Sequence, residues 1–194
     1  FPLSDPSYQL FKDKGGWSDR AKAYASMVSM IDRQVGQIRS LLKGLGIEKN
    51  TIIAFTGDNG GSPYFKDEEH PYGFFDPNCD PKTGIRFRGA KRNFYEGGLR
   101  VPAMVAWPGV IEPNRVSDHL GYFPDFMATY AELVGQPVPK GTDGVSILPE
   151  LLGKGEQKQH EYLYWEDPNW IAVRYGHWKS IRRTRNGDLS WELY

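Results

Sequence analysis

Apolar residues recur at helical spacing between Tyr24 and Leu45. Tyr24, Met27, Val28, Ile31, Val35, Ile38, Leu41, Leu42 and Leu45 form one stripe, and Arg33, Gln34, Gln37 and Arg39 fall mostly outside it. This spacing predicts an amphipathic helix that buries one face. Ser18 is its N-cap, Asp19 places a negative charge in the first turn, and Gly44 or Gly46 supplies the left-handed residue that ends it. Residues 1–16 are rich in Pro, Asp, Lys and Gly without a period and read as a loop. After the helix, Thr51-Ile52-Ile53-Ala54-Phe55-Thr56 is β-branched and lacks polar alternation. That pattern predicts a strand buried on both faces, as in a parallel sheet covered by helices. A long helix feeding such a strand is the rhythm of an α/β domain.

The strand runs directly into Gly57-Asp58-Asn59-Gly60-Gly61, and Ser62 to Arg86 then shows no repeating period. Loops of that length inside a domain are commonly functional or mobile. Val101 to Trp107 reads as a further strand, which Pro102 confines to an edge or to its first residues. Pro124 in a first turn, followed by Phe126, Met127, Tyr130, Leu133 and Val134, predicts a second amphipathic helix stopped by Gly135, and Ser146 to Leu152 a short third. Beyond Gly153 the texture changes to short aromatic runs separated by Gly176-His177 and Asn186-Gly187, the signature of an antiparallel meander. The organisation expected is an α/β part over residues 1–155 and the start of an antiparallel β subdomain over residues 156–194.

Composition narrows the function. The 194 residues carry 24 basic and 24 acidic side chains, so the formal charge is zero. Such a balance gives no electrostatic drive toward nucleic acid or an anionic membrane surface. With 39% hydrophobic and 25% charged residues the chain is globular in composition. Its longest apolar run, Thr51 to Phe55, is far too short to span a membrane. A single Cys, Cys79, excludes an intrachain disulfide framework and a Cys-based zinc site. The chain starts at Phe1 without Met and stops at Tyr194 inside a predicted strand, which leads us to expect a piece of a longer protein.

Two segments carry candidate chemistry. Asp58 and Asn59 set a carboxylate beside a carboxamide oxygen where a buried strand meets a Gly-rich turn, and in open α/β sheets that end of the strands is where ligands bind. Two hard oxygen donors suit Ca²⁺ or Mg²⁺ rather than a soft metal. The same four letters, Asp-Asn-Gly-Gly, are also ordinary turn chemistry. The second segment, Arg88 to Pro102, combines two Gly clusters with a dense set of cations, an arrangement suited to an oxyanion, although a solvated charged loop is the more common fate of such a run.

Taken together and in order, these segments resemble the type I sulfatases, the arylsulfatase-like members of the alkaline phosphatase superfamily. The resemblance rests on Thr56-Gly57-Asp58-Asn59-Gly60-Gly61 after a strand, Lys91 before Tyr95-Glu96-Gly97-Gly98, then Arg100-Val101-Pro102 and Trp107-Pro108-Gly109. Met27 to Leu42, Ser117 to Val134, Asp143 to Leu148, Trp178-Lys179 and Glu192-Leu193-Tyr194 also look familial, so it covers nearly the whole chain. It implies an α/β sulfatase-like sheet flanked by helices, in partial form, followed by a small antiparallel β subdomain. It also implies hydrolysis of sulfate esters, with a sulfated small molecule or carbohydrate as substrate. Asp58 and Asn59 fall on two ligands of the family's divalent cation, usually Ca²⁺, and Lys91 on its sulfate-binding lysine. Tyr95, Glu96, Gly97, Gly98 and Arg100 match the motif and are assigned to shaping the loop.

The family's Asp-Asp metal pair, its Cys-x-Pro-x-Arg segment and a sulfate-contacting His precede these elements and are absent from this chain. The Cys of that segment is oxidised to formylglycine, the nucleophile, which is therefore expected from upstream sequence. Cys79-Asp80-Pro81-Lys82-Thr83 imitates the segment, but Thr83 stands where Arg is required and the order along the chain is wrong. Relatives that transfer phosphoryl groups place His after the metal-binding Asp, and Asn59 argues against that alternative. A third reading makes the aromatic segment Tyr64 to Phe75 and the meander a non-catalytic carbohydrate-binding module. His119 reads as a structural hydrogen-bonding residue, and His70, His160 and His177 as solvent-facing. Lys179, Arg182, Arg183 and Arg185 read as a solvated strand edge. The resemblance further implies a periplasmic, secreted or lysosomal compartment.

Overall fold

The computed structural model describes residues 3–62, 80 and 82–194, which fall into two compact units. The first comprises Phe1–Thr51, Gly57–Arg92 and Glu96–Val101, and the second Ile52–Thr56, Asn93–Tyr95 and Pro102–Tyr194.

The first unit is dominated by a helix over Asp19–Gly44 (α2), preceded by a short helix over Pro6–Gln9 (α1) and followed by a 3-10 turn at Glu48–Asn50. As expected, Ser18 caps α2, its hydroxyl accepting the Ala21 amide at 3.3 Å, and Gly46 takes a left-handed φ of 71° just past its end. The opening segment is not all loop. Asp5 accepts the Ser7 amide at 2.8 Å and so starts α1, with Pro6 already holding a helical φ. The same carboxylate receives both of its oxygens' bonds from Arg33 of α2, at 3.1 and 2.9 Å, so one Asp caps α1 and clamps it to α2. Those bonds, the Ser7 amide first, hold the Asp5 carboxyl below its usual range. The predicted burial of the α2 stripe is not met among the described residues. Ala21 and Ser26 are its buried residues, while Leu41 and Leu45 are about 63% and 61% exposed.

The second unit contains two sheets. Ile53–Thr56 (β1) pairs antiparallel with Ala103–Ala106 (β2), in the register Ile53 to Ala106 and Thr56 to Ala103. Both strands exist where the sequence places them, but β1 is paired antiparallel rather than parallel, and Ala54 is exposed. The continuous apolar run signals burial on both faces, whereas Ile53, Phe55 and Thr56 are only half-buried. Pro102 sits just before β2, where its missing N–H costs no ladder bond.

The second helix of the sequence spans Phe123–Leu133 (α4), and the third Leu148–Leu152 (α5); a single turn at Glu96–Leu99 (α3) belongs to the first unit. The buried face of α4 is Asp125, Ala128 and Thr129, while the larger Met127, Tyr130 and Val134 are exposed. The reason is a polar lacing. Asp125 accepts the Tyr122 amide at 2.7 Å, capping the helix, and the Val145 amide at 2.8 Å. Thr129 donates to the Asp125 carbonyl at 2.6 Å and accepts the Ile147 amide at 3.0 Å. Gly144 crosses so close to α4 that a Cβ there would lie 2.1 Å from the Pro124 carbonyl oxygen. Small and hydrogen-bonding side chains are what such a backbone approach admits.

The meander is present as a four-stranded antiparallel sheet in sequential order, Leu163–Asp167 (β3), Trp170–Tyr175 (β4), Trp178–Arg185 (β5) and Asp188–Leu193 (β6). Asn186 and Gly187 both have positive φ, 53° and 86°, as a tight hairpin turn requires. One face carries Leu163, Ala172 and Ile181, all essentially buried, with Tyr95, Trp165 and Trp170 packed in the same cluster. The other carries Tyr164, Trp178, Trp191 and Leu193, all exposed. The basic residues are not a solvated edge. They lie on β5, an interior strand, and Lys179 is only 7% exposed, with its ammonium 5.5 Å from the Trp165 ring centre. Arg183 lies 4.8 Å over Trp170, so aromatic faces replace part of the lost water.

Replacing Asp125 with Ala removes the cap, the Val145 bond and the partner of His160 together. It is expected to lower unfolding stability by about 3–5 kcal/mol, read as a fall in the urea midpoint; an unchanged midpoint would contradict this account of α4.

Candidate active site

The site residues of the sequence converge in the first unit because three backbone contacts tie separate stretches together. The Gly60 amide donates to the Gly98 carbonyl at 2.9 Å, the Lys91 amide to the Gly61 carbonyl at 2.9 Å, and the Gly97 amide to the Arg88 carbonyl at 2.8 Å. The turn that carries Asp58 and Asn59 is thus bonded on one side to α3 and on the other to Lys91 itself. Gly57 lies against Val101, where a Cβ would make ordinary contact at 3.4 Å.

Glycine is obligatory at one of these crossings. A Cβ on Gly97 would sit 2.3 Å from the Gly89 carbonyl oxygen and 2.8 Å from that of Arg88. No side chain fits, so glycine at 97 is a steric requirement of bringing Arg88 and Gly89 onto α3. The loop so closed holds a conformation that few residues choose. Gly89 has φ 88° and Arg92, directly after Lys91, has φ 76°. A non-glycine residue in the left-handed region costs about 1 kcal/mol or more, and persists where its surroundings impose it.

Within this frame Asp58 is exposed, and Asn59 and Lys91 are half-buried. Exposure leaves the Asp58 oxygens free to meet a cation, and the two side chains offer hard donors. Among the described residues no group of three or more His, Cys, Asp or Glu gathers to hold a metal. The donor set fits a hard divalent cation in chemistry and supplies part of the six or more oxygens that such an ion takes. Nearby, Arg100 stacks 4.7 Å over Phe87 and lies 3.7 Å from Asp80. Asp80 closes its own turn by accepting the Lys82 and Thr83 amides at 2.9 and 2.8 Å, and the Thr83 bond leads the causes that lower its pKa. Arg100 thus contacts both Phe87 and the Asp80 turn. Cys79, His70 and the aromatic segment Tyr64 to Phe75 lie outside the described residues.

The remaining histidines divide. His177 is exposed in its hairpin turn as expected. His160 is not solvent-facing. Its side chain is 8% exposed and its Nε2 lies 2.7 Å from Asp125 Oδ1, with Tyr122 edge-on at 5.8 Å. The polar residues around His160 in sequence conceal this, because its partner lies 35 positions away. His119 does not make the hydrogen bonds expected of a structural His: both ring nitrogens are buried and have no partner among the described residues.

The family follows from comparison with known proteins. The sulfatase family pattern matches residues 4–136, and that of the N-sulphoglucosamine sulphohydrolase C-terminal region matches residues 88–194. The chain is similar to the N-acetylgalactosamine-6-sulfatase of Mus musculus, 36% identical over 173 residues, covering 88% of this chain and 31% of that protein. It is also similar to the steryl-sulfatase of Rattus norvegicus, 34% identical over 181 residues, covering 86% of this chain and 29% of that protein. Among solved structures, Ps i-CgsB in complex with k-i-k-neocarrahexaose superposes with a TM-score of 0.72 at 25% identity, covering 100% of this chain and 40% of that one. The chain belongs to the sulfatase family, the type I sulfatases of the alkaline phosphatase superfamily. Its architecture is a partial form of their α/β fold, ending in the small antiparallel sheet. It spans about a third of the length of the curated relatives it matches.

Gly97→Ala forces a Cβ into the Gly89 carbonyl. Overpacking of this kind costs about 1–3 kcal/mol, so the Lys91 and Gly97 amides should exchange with solvent deuterium about tenfold faster or more. The Lys179 amide, bonded to Tyr194 in the sheet, should keep its rate. Equal rates at Lys91 in the variant and the parent would remove Gly97 as the keystone of the loop.

Proposed function

We propose that this chain is the C-terminal part of an enzyme that hydrolyses sulfate esters, to which it contributes two ligands of a divalent cation and a sulfate-binding lysine. The observation that carries the reading is the 2.9 Å bond from the Lys91 amide to the Gly61 carbonyl. It ties the backbone of the cation-bearing loop to the turn that carries Asp58 and Asn59, which supports the reading of the two segments as parts of one site. A sulfate ester has the complementary charge.

Asp58 and Asn59 are the residues that would hold the cation, Ca²⁺ by resemblance and Mg²⁺ by donor type. Once bound, that ion supplies Lewis-acid stabilisation of negative charge on a sulfate oxygen. Lys91 Nζ is a point charge with three donors. It binds a second sulfate oxygen, orients the ester, and opposes the charge that grows on oxygen as the S–O bond breaks. Preorganised donors of this kind contribute about 10²–10³ in rate when aimed at developing charge. Gly97, Gly98 and Arg100 keep the loop from relaxing and so hold the ammonium in place. The nucleophile, a formylglycine by resemblance, belongs to sequence upstream of Phe1.

The substrate is a sulfated carbohydrate or small molecule. The named relatives support that class, one being a sulfatase of an amino sugar and the other of a steroid. Asn59, where phosphoryl-transferring relatives carry His, favours sulfate over phosphate esters.

The test is turnover by the full-length protein. It should hydrolyse an aryl sulfate faster than the matching aryl phosphate, and Lys91→Ala should lower kcat/KM for the sulfate about 10²-fold or more. Asp58→Ala should lose activity in step with loss of bound Ca²⁺, measured by calorimetric titration. The 194 residues alone should give no turnover. A phosphate preference moves the reading to phosphoryl transfer, and a Lys91→Ala enzyme at the parental rate removes the sulfate-binding role.

A further inference from the structure

Asparagine is followed by glycine at two places in the chain, Asn59-Gly60 and Asn186-Gly187. This pair is the most labile of the asparagine dipeptides, because glycine has no Cβ to shield its amide nitrogen from the side chain before it. Identical dipeptides share one intrinsic reactivity, so a difference between them in the folded protein is made by structure.

Their surroundings are opposite. Asn59 is half-buried, Gly60 is buried, and the Gly60 amide donates to the Gly98 carbonyl at 2.9 Å. Gly98 is itself buried in α3. Attack by the Gly60 nitrogen therefore first requires that bond to break inside a closed crossing. Asn186 and Gly187 are exposed, with φ of 53° and 86°, at the tip of a two-residue turn. The ladder closes on Arg185 and Asp188, so neither turn residue belongs to it. A Cβ built on Gly187 would meet nothing within 4 Å, and among the described residues its amide donates to no carbonyl. The nucleophile, its target and water all have room there.

We propose that Asn186 is a site of spontaneous deamidation and isomerisation, and that the bond from Gly60 to Gly98 spares Asn59. The inference does not depend on the role of Asn59 as a metal ligand. The Gly187 amide gives its proton to hydroxide, and its nitrogen attacks Asn186 Cγ. A C–N bond forms, the Cγ–Nδ2 bond breaks, and Nδ2 leaves as ammonia with a proton from water. Water then opens the resulting five-membered imide. Opening at Cγ leaves an aspartyl residue; opening at the backbone carbonyl leaves an isoaspartyl link, in which the main chain runs through Cγ. That link adds a carbon to a turn whose two residues match the twist of their strands, so the register between Arg185 and Asp188 is lost.

The test ages the full-length protein in mildly alkaline buffer, with a chelator present so that no bound cation does the protecting. The same protein unfolded in urea is aged beside it. Peptide mass mapping follows amide-to-acid conversion at both positions, each scaled by its own rate in urea. On that scale Asn186 should convert almost as fast folded as unfolded, and Asn59 about tenfold more slowly than Asn186 or slower. The peptide spanning position 186 should become a substrate of isoaspartyl methyltransferase. The amides of Arg183 and Ser190, paired across the ladder beside the turn, should exchange faster with deuterium in the aged protein. They should keep their rates in aged Asn186→Gly, which tolerates the positive φ and has no side-chain amide. Protection of Asn186 equal to that of Asn59 overturns the reactive turn, and scaled conversion of Asn59 as fast as Asn186 overturns the sparing bond. Unchanged exchange at Ser190 in the converted protein overturns the loss of register.

Discussion

The absence of room at Gly97 is the constraint from which the site takes its form. Two carbonyl oxygens occupy the space that a Cβ would fill, and the amide of the same residue bonds to one of them. That crossing brings Arg88 and Gly89 onto α3, and the Gly98 carbonyl next to it receives the amide from the Asp58-Asn59 turn. With both stretches fixed to one short helical turn, Lys91 has little choice of position. Polar backbone groups do the joining, so the geometry depends on hydrogen-bond lengths rather than on the size of apolar side chains. The segment accordingly carries charged residues at several of its positions, and position 97 has room for glycine alone.

The second unit shows the same preference for polar joints over apolar bulk. The buried face of α4 consists of an Asp, an Ala and a Thr, the Asp and the Thr each placed by a named bond. Aromatic rings around the meander's buried face take up cations that would be costly to desolvate alone. The large apolar side chains of α2, of the outer α4 face and of the second sheet face are meanwhile exposed. Exposure of this kind on elements whose sequence predicts a buried face is not typical of an isolated monomer. It accords with a chain about a third as long as its relatives.

Much of the layout was legible in the sequence, and the failures share one cause. Ser18, Pro124 and Asn186-Gly187 act through neighbours one to three residues away, and the caps and turns they announce are present. The run at β1 announced a strand correctly, while its pairing direction depends on a partner some fifty residues distant. Asp5 starting a helix went unread because Pro and Asp also write loops, and its Arg33 partner lies 28 positions on. His160 and Lys179 read as solvent-facing from their polar neighbours, yet Asp125 and Trp165 bury them. The candidate site was legible through its motif, which names residue types and order. That motif does not reveal why Gly97 must be glycine, nor that the Tyr95 hydroxyl donates to Glu192.

The bond between Tyr95 and Glu192 spans 97 positions, and this has a bearing on the order in which the second unit is assembled. Local elements such as α2 form early, whereas a contact of that separation waits until a long stretch of chain has been ordered. During synthesis Tyr95 leaves the ribosome well before β6 exists, at about 5–20 residues per second. For several seconds Tyr95 is therefore present without its Glu192 partner. The buried face of the meander is thus completed by a residue written long before its strands, and the contact that joins them is among the later ones to form.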